Sequence, residues 1–483
     1  MDDLIALSAE DLAAGIRHGR FSSRAVVDAH IRRSEQVQAG INAIVVDRYA
    51  AARQQADVCD AQLQTRREND EIDTLPPLWG VPCTIKESLA VAGMPQTAGS
   101  IHRRHVISSE DAPVVKRLRE AGAIILGVSN TSELCMWMES FNPVYGRSNN
   151  AYDRERTAGG SSGGEGAIVG SGASPFGLGS DIGGSIRMPA LFNGVFGHKG
   201  SPGLVPNDGQ YPWPEGIAQE MLATGPLCRR ASDLPLLVSL IAADPGLPAR
   251  VAAVDVKKLR ILHLDSDYAP KADRAQSLAL QRAVQALQEQ GARLQKCSLP
   301  GLAQAREIWT HTLSSAGSTS FAEMMYGDRR ISSSLRALWQ LRQHPSPHTL
   351  PLILLSLLER VPEAMPERMR YWLEQGKALR QQLTDLLGDD GVLLDVPYPR
   401  QAPLHYRAML RPFQFVRSAI YNALRLPATA CPMGLLDGLP IGVQLITAPG
   451  CDHLGLAVAA RLEQAWGGWV DPQSVESWTQ SLA

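Results

Sequence analysis

The sequence predicts an α/β protein in which a central sheet is covered by helices on both faces. Three observations carry that expectation. Apolar runs of strand length, Val81 to Ile85, Leu259 to Leu264, Val392 to Val396 and Val443 to Ile446, alternate with helical periodicities such as Ala275 to Gln290 and His453 to Trp466. The 483 residues, 44% hydrophobic and 20% charged, suffice for a large buried core. Length alone suggests roughly two or three domains, yet no Pro/Gly/Ser linker and no internal repeat divides the chain.

Taken in order, Ser8 followed by Asp11 makes a capping-box-like helix start with Leu12 and Ile16 on one face. Ser22 or Ser23 opens a second helix carrying Val26, Val27, Ala29 and Ile31. The strand-like Val81 to Ile85 ends at Lys86, and Glu87 is expected on the opposite side if the strand continues. From Pro113 a helix bearing Val114, Val115 and Leu118 leads through Gly122 into a strand, Ala123 to Gly127, after which Thr131 is placed to cap another helix. The later strands and helices complete the alternation.

The net charge of -2 gives no electrostatic case for nucleic acid or an anionic membrane, which leaves small-molecule chemistry. Cys59, Cys83, Cys135, Cys228, Cys297, Cys431 and Cys451 are odd in number, widely spaced and never in a C-x-x-C pair, so neither a disulfide framework nor a zinc site is indicated. The acidic N-terminal residues Asp2, Asp3, Glu10 and Asp11 are unlike a signal peptide, and Leu350 to Leu358 is too short to span a bilayer. The expectation is a cytoplasmic protein without stable membrane insertion, metal or cofactor.

One segment is biased: 11 glycines and 6 serines fall in the 27 residues from Gly159 to Ser185. A flexible linker would be monotonous, whereas this segment is interrupted by Glu165, Ile168, Val169, Pro175, Phe176, Leu178, Asp181 and Ile182. A phosphate cradle is a second reading, but neither Gly-rich phosphate motif is present. The third is an acyl-transfer site. Gly183-Gly184-Ser185 can present consecutive backbone N–H groups to an oxyanion, and a helix over Ile186 to Phe192 would add the positive potential of its N-terminus. Gly159-Gly160-Ser161-Ser162-Gly163 formally matches G-x-S-x-G, but the polar stretch Asn149 to Arg156 stands where a nucleophile elbow needs a buried strand. No histidine has a recognisable catalytic context. Lys86, at a strand end among apolar neighbours, is the other base available, although a lysine read by itself is usually a surface residue.

Together these residues resemble the amidase signature family. Gly80 to Glu87 is similar to its lysine strand, and Gly159 to Ala167 followed by Gly179 to Ala190 to its defining signature. Gly197-His198-Lys199, Thr224-Gly225-Pro226 and Gly438 to Gln444 extend the likeness over most of the chain. Within the family the similarity is to the type 2 fatty acid amide hydrolases, through Ser132 to Trp137, Tyr145 to Asn150, Ser201 to Pro206 and Gly467-Gly468-Trp469. Two features depart from that group: its membrane-spanning N-terminal helix is missing, and Gly200 replaces the usual proline.

The resemblance implies the amidase signature fold, a central mixed and twisted sheet in one domain over residues 1–483. Its parts would be a helical region over about 1–65, a signature core over about 75–240, and a variable, substrate-covering helical region over about 300–390. It implies Ser185 as nucleophile, Ser161 as a bridging serine after a cis peptide bond, and Lys86 as base. The oxyanion donors would be the N–H groups of Ile182, Gly183, Gly184 and Ser185, with Ser162, Asp181 and Arg187 in support; an exposed Asp181–Arg187 pair is the plainer alternative. Met136, Trp137, Met138, Phe141 and Gly160 are the substrate-binding candidates.

The apolar stretch between Trp309 and Trp372, with Met324, Met325, Leu352 and Ile353, reads first as helix packing and second as an acyl channel. Hydrophobic N-acyl amides are the expected substrates, with aryl amides, esters and carbamates as secondary ones. The rivals are the glutamine amidase component of a tRNA-dependent amidotransferase and, in another class, a noncatalytic ligand-binding protein on the same scaffold. A homodimer is left open.

Overall fold

Among the described residues, eleven strands, spread from residue 44 to residue 446, hydrogen-bond into one mixed sheet. They are β1 (Ile44–Asp47), β2 (Pro82–Lys86), β3 (Ile124–Ser129), β4 (Phe176–Asp181), β5 (Phe196–Lys199), β6 (Ala223–Cys228), β7 (Arg260–Leu264), β8 (Arg293–Cys297), β9 (Gly391–Asp395), β10 (Ala428–Leu436) and β11 (Leu439–Ile446). Their order is β1-β3-β2-β4-β6-β5-β10-β11-β9-β7-β8. Strands β3, β2 and β4 are parallel, as are β9, β7 and β8, and the strands between those groups are antiparallel. This computed structural model describes residues 2–265, 267–317, 319–327, 330–342, 346–359 and 365–472. Residues 318, 328–329, 343–345 and 360–364 of the expected covering region lie outside the described residues.

The predicted strands all form, within a few residues of the expected bounds. Ser8 accepts from Asp11 N–H at 2.9 Å, and Ser22, rather than Ser23, accepts from Ala25 N–H at 3.0 Å, so the helices Ala9–Arg17 and Ser23–Ile41 both start at serine caps. Leu12, Ile16, Val26, Val27 and Ile31 are all fully buried beneath them.

Two expectations differ. No helix follows Thr131: Asn130 Oδ1 accepts from Thr131 N–H, and Leu134 (φ 52°) and Cys135 (φ 60°) are left-handed, which breaks the α-helix after one 3-10 turn, Glu133–Cys135. Strand β4 is invisible in the periodicity because glycine occupies positions where no side chain fits. A Cβ at Gly177 would lie 1.7 Å from Glu165 Oε2, and one at Gly179 would lie 2.9 Å from Ser162 Oγ.

Candidate active site

Strand β2 pairs with β4 in parallel, Thr84 opposite Gly177 and Ile85 opposite Leu178, which carries Lys86 to the Ser180 end of β4. Lys86 is fully buried, and its Nζ donates to Ser161 Oγ at 2.7 Å and to Ser180 Oγ at 3.0 Å. Burial holds its pKa below the ordinary lysine value, although Cys135, Asp181 and Glu165 pull the other way. Glu87 does point away. Its carboxylate accepts from Thr97 N–H (2.6 Å), Ala98 N–H (2.8 Å) and Tyr145 Oη (2.9 Å), and so is occupied in bracing the next loop.

The Gly160–Ser161 peptide is cis. A Cβ at Gly160 would lie 2.5 Å from Trp137 O and 2.7 Å from Glu139 N, so glycine here permits backbone contact with the Trp137–Glu139 segment. Ser161 C=O accepts from Ser140 Oγ at 2.9 Å, fixing the same seam. Ser162 ties the two halves of the signature together. Its N–H donates to Ser185 C=O (3.2 Å), its Oγ donates to Ser180 C=O (3.2 Å), and Ser180 N–H returns a bond to that Oγ (3.3 Å). A helix, Gly163–Gly170, follows this segment, but the nearest preceding strand is the two-residue Gly146–Arg147, so no buried strand runs into the turn and the G-x-S-x-G match is not a nucleophile elbow.

Asp181 and Arg187 form a two-pronged ion pair, 3.0 Å on each prong, with both side chains fully buried, which removes the exposed-pair reading. Burial pushes the Asp181 carboxyl up, but Arg187 and the Gly184 N–H outweigh it and hold the group below the usual carboxylate range. Asp181 accepts from Gly184 N–H at 2.7 Å and from Ile186 N–H at 3.1 Å. This corrects one expectation. The Gly184 N–H is turned onto Asp181, leaving Ile182, Gly183 and Ser185 with N–H groups uncommitted among the described residues. The helix expected over Ile186 to Phe192 forms as Arg187–Phe192, with the Asp181 carboxylate at its N-terminus.

Residues 25–456 match the family described as Amidase. The fatty-acid amide hydrolase 2-A of Danio rerio is 43% identical over 97% of this chain and 90% of its own length. The chain belongs to the amidase family. A glutamyl-tRNA(Gln) amidotransferase subunit of Desulforudis audaxviator is a more distant relative, 29% identical over 90% of this chain and 91% of its own. A solved fatty acid amide hydrolase structure superposes with a TM-score of 0.79 at 21% identity, covering 97% of this chain and 86% of that one, and shares the fold.

In this amidase the candidate substrate residues divide. Trp137 is half-buried beside the Gly160 seam and Met136 is half-buried against Leu134, whereas Met138 is packed with Met188, Leu191, Phe192 and Tyr398 as part of the core. Phe141 makes an edge contact with Tyr406, ring centroids 5.4 Å apart. Leu352 and Ile353 are fully buried with Leu134 and Met325, so packing explains them.

Four further residues, none of them assigned a role from the sequence, bear on the site. Ser180 is the second acceptor of Lys86. Trp309 donates from Nε1 to Ile182 C=O at 3.1 Å and covers Gly183, where a Cβ would lie 3.3 Å from its ring. Asn422 donates to Asp181 and accepts from Arg187 Nη2, and Gln444 accepts from Arg187 Nη1 at 2.9 Å. Ser180 and Gln444 stand inside matched motifs, but Trp309 and Asn422 come from distant helices and carry no local signal.

Proposed function

We propose that this amidase hydrolyses hydrophobic N-acyl amides through an acyl-enzyme on Ser185, with Ser161 and Lys86 as its proton relay. The observation that carries the reading is the fully buried Lys86, which hydrogen-bonds two hydroxyls, Ser161 at 2.7 Å and Ser180 at 3.0 Å, and so can shed its proton where an ion pair would hold it. Neutral Lys86 accepts the Ser161 proton as Ser161 accepts that of Ser185, whose oxygen bonds to the amide carbon. The relay requires Ser185 Oγ to hydrogen-bond Ser161 Oγ when substrate is bound, with Ser161 already held by Lys86 at 2.7 Å.

The N–H groups of Ile182, Gly183 and Ser185 face the developing oxyanion, and Asp181 with Arg187 keeps their loop in shape. The C–N bond then breaks, the amine leaves with the proton returned through Ser161, and water repeats the cycle on the acyl-enzyme. Met136 and Trp137 supply an apolar acyl wall, and the fatty-acid amide hydrolase likeness supports acyl chains over glutamine.

A series of p-nitroanilides of increasing acyl length tests this. The expected kcat/KM rises by roughly fourfold per methylene, the equivalent of about 0.8 kcal/mol, until the pocket is filled. Highest activity on free glutamine would overturn it.

A second prediction concerns pH. Since the base must be neutral, kcat/KM should rise with pH and reach its plateau below the ordinary lysine pKa of about 10.4, in keeping with the lowered value of Lys86. Lys86→Ala should lose about 10²- to 10⁴-fold and that acid limb with it. An unchanged limb in the variant assigns the proton to another group.

A further inference from the structure

We propose that Glu133 is a positioning residue for acyl-chain selectivity, a clasp that pins the helix Leu350–Leu358 onto the turn carrying Leu134 and Met136. This rests on the hydrophobic-amide reading given above.

Glu133 is an acidic residue with 2% exposure, a costly placement unless both oxygens are satisfied. They are satisfied from one place. Oε1 accepts from His348 Nδ1 at 2.7 Å, and Oε2 accepts from the Thr349 N–H at 2.7 Å, at the residue preceding the helix Leu350–Leu358. His348, 5% exposed, is held in turn by ring contacts with Tyr326 (5.3 Å, edge-on) and His102 (5.5 Å). A carboxylate at a helix start also meets the positive end of the helix.

The turn that carries Glu133 is itself fastened to the reactive strand. Leu134 N–H donates to Ala98 C=O at 2.7 Å, and Ala98 N–H donates to Glu87, the neighbour of Lys86. Immediately beyond the clasp, Leu352 and Ile353 bury against Leu134, with Met136 packed at the edge of the same cluster. The apolar contact alone is non-directional and would tolerate sliding. The two carboxylate bonds set the height and angle at which the helix meets that turn, and hence the position of Met136 in the proposed acyl wall.

Three variants, Glu133→Ala, His348→Ala and the double substitution, are to be assayed on butanoyl and dodecanoyl p-nitroanilides, with hydrogen exchange followed over residues 349–358. Each single variant is expected to lose about tenfold in kcat/KM on the dodecanoyl substrate, chiefly through KM, and less than about twofold on the butanoyl one. The double variant should be no worse than either single, since both remove the same link. Exchange over 349–358 should rise in all three. Glu133→Gln, which keeps an acceptor for Thr349 N–H, should restore most of the long-chain activity. Equal losses on both substrates, additive losses, or unchanged exchange overturn the clasp. A wild type indifferent to chain length overturns the hydrophobic-amide reading instead, and increased exchange in Glu133→Ala distinguishes that outcome from failure of the clasp.

Discussion

Replacing Ser185 by alanine is expected to lower kcat by about 10⁴- to 10⁶-fold, the scale on which serine hydrolases lose their nucleophile, while leaving the fold in place. The bonds that shape its loop do not use the Ser185 side chain: Ser162 N–H to Ser185 C=O at 3.2 Å, and Gly184 N–H to the Asp181 carboxylate at 2.7 Å. Alanine preserves both. Ser161→Ala should lose less, since Ser185 stays and only its proton relay is cut. Labelling with a fluorophosphonate and locating the added mass by peptide mapping provides the independent check. Label on the Ser185 peptide of the wild type and none on Ser185→Ala is the expected result. Hydrolysis that survives undiminished in Ser185→Ala excludes the mechanism.

The second large effect is on stability. Asp181→Ala leaves Arg187, fully buried, without its carboxylate, and breaking a buried pair in this way costs about 3–5 kcal/mol. A lowered denaturant midpoint with unchanged slope would register it. The pKa of Asp181 is depressed in the fold, so its contribution is complete above the unfolded value of about 3.9 and is lost as pH falls toward the folded value. Asp181→Leu combined with Arg187→Met removes both charges and is expected to recover much of the stability. Activity should not return with it, because the Gly184 and Ile186 N–H groups have lost the acceptor that bends the loop around the oxyanion position. A double variant both stable and active would show that the pair serves packing alone.

Much of the sheet was legible because its apolar strands are bounded by glycine, proline and charged residues, as in Val81 to Ile85 and Val443 to Ile446. Strand β4 was not, since Gly177 and Gly179 yield to the side chains of Glu165 and Ser162 packed against them. The turn after Thr131 reads as a helix for a related reason. The left-handed backbone at Leu134 and Cys135 is held by contacts from elsewhere, including Leu134 N–H to Ala98 C=O, and not by turn-forming residues.

The same division runs through the candidate site. Ser185 and its glycine-rich loop could be argued from residue type, because consecutive N–H groups beside a hydroxyl are what acyl transfer requires. The sequence by itself thus determined, through the signature, the family, and singled out the residues proposed to react. Only the tertiary structure decided that Lys86 is buried against Ser161 and Ser180, that Asp181 withdraws the Gly184 N–H, and that Glu133 reaches His348. Each of these joins segments far apart in the chain or depends on where a side chain turns, and a lysine's solvation or a carboxylate's partners follow from the packing of the whole sheet, which no local pattern encodes.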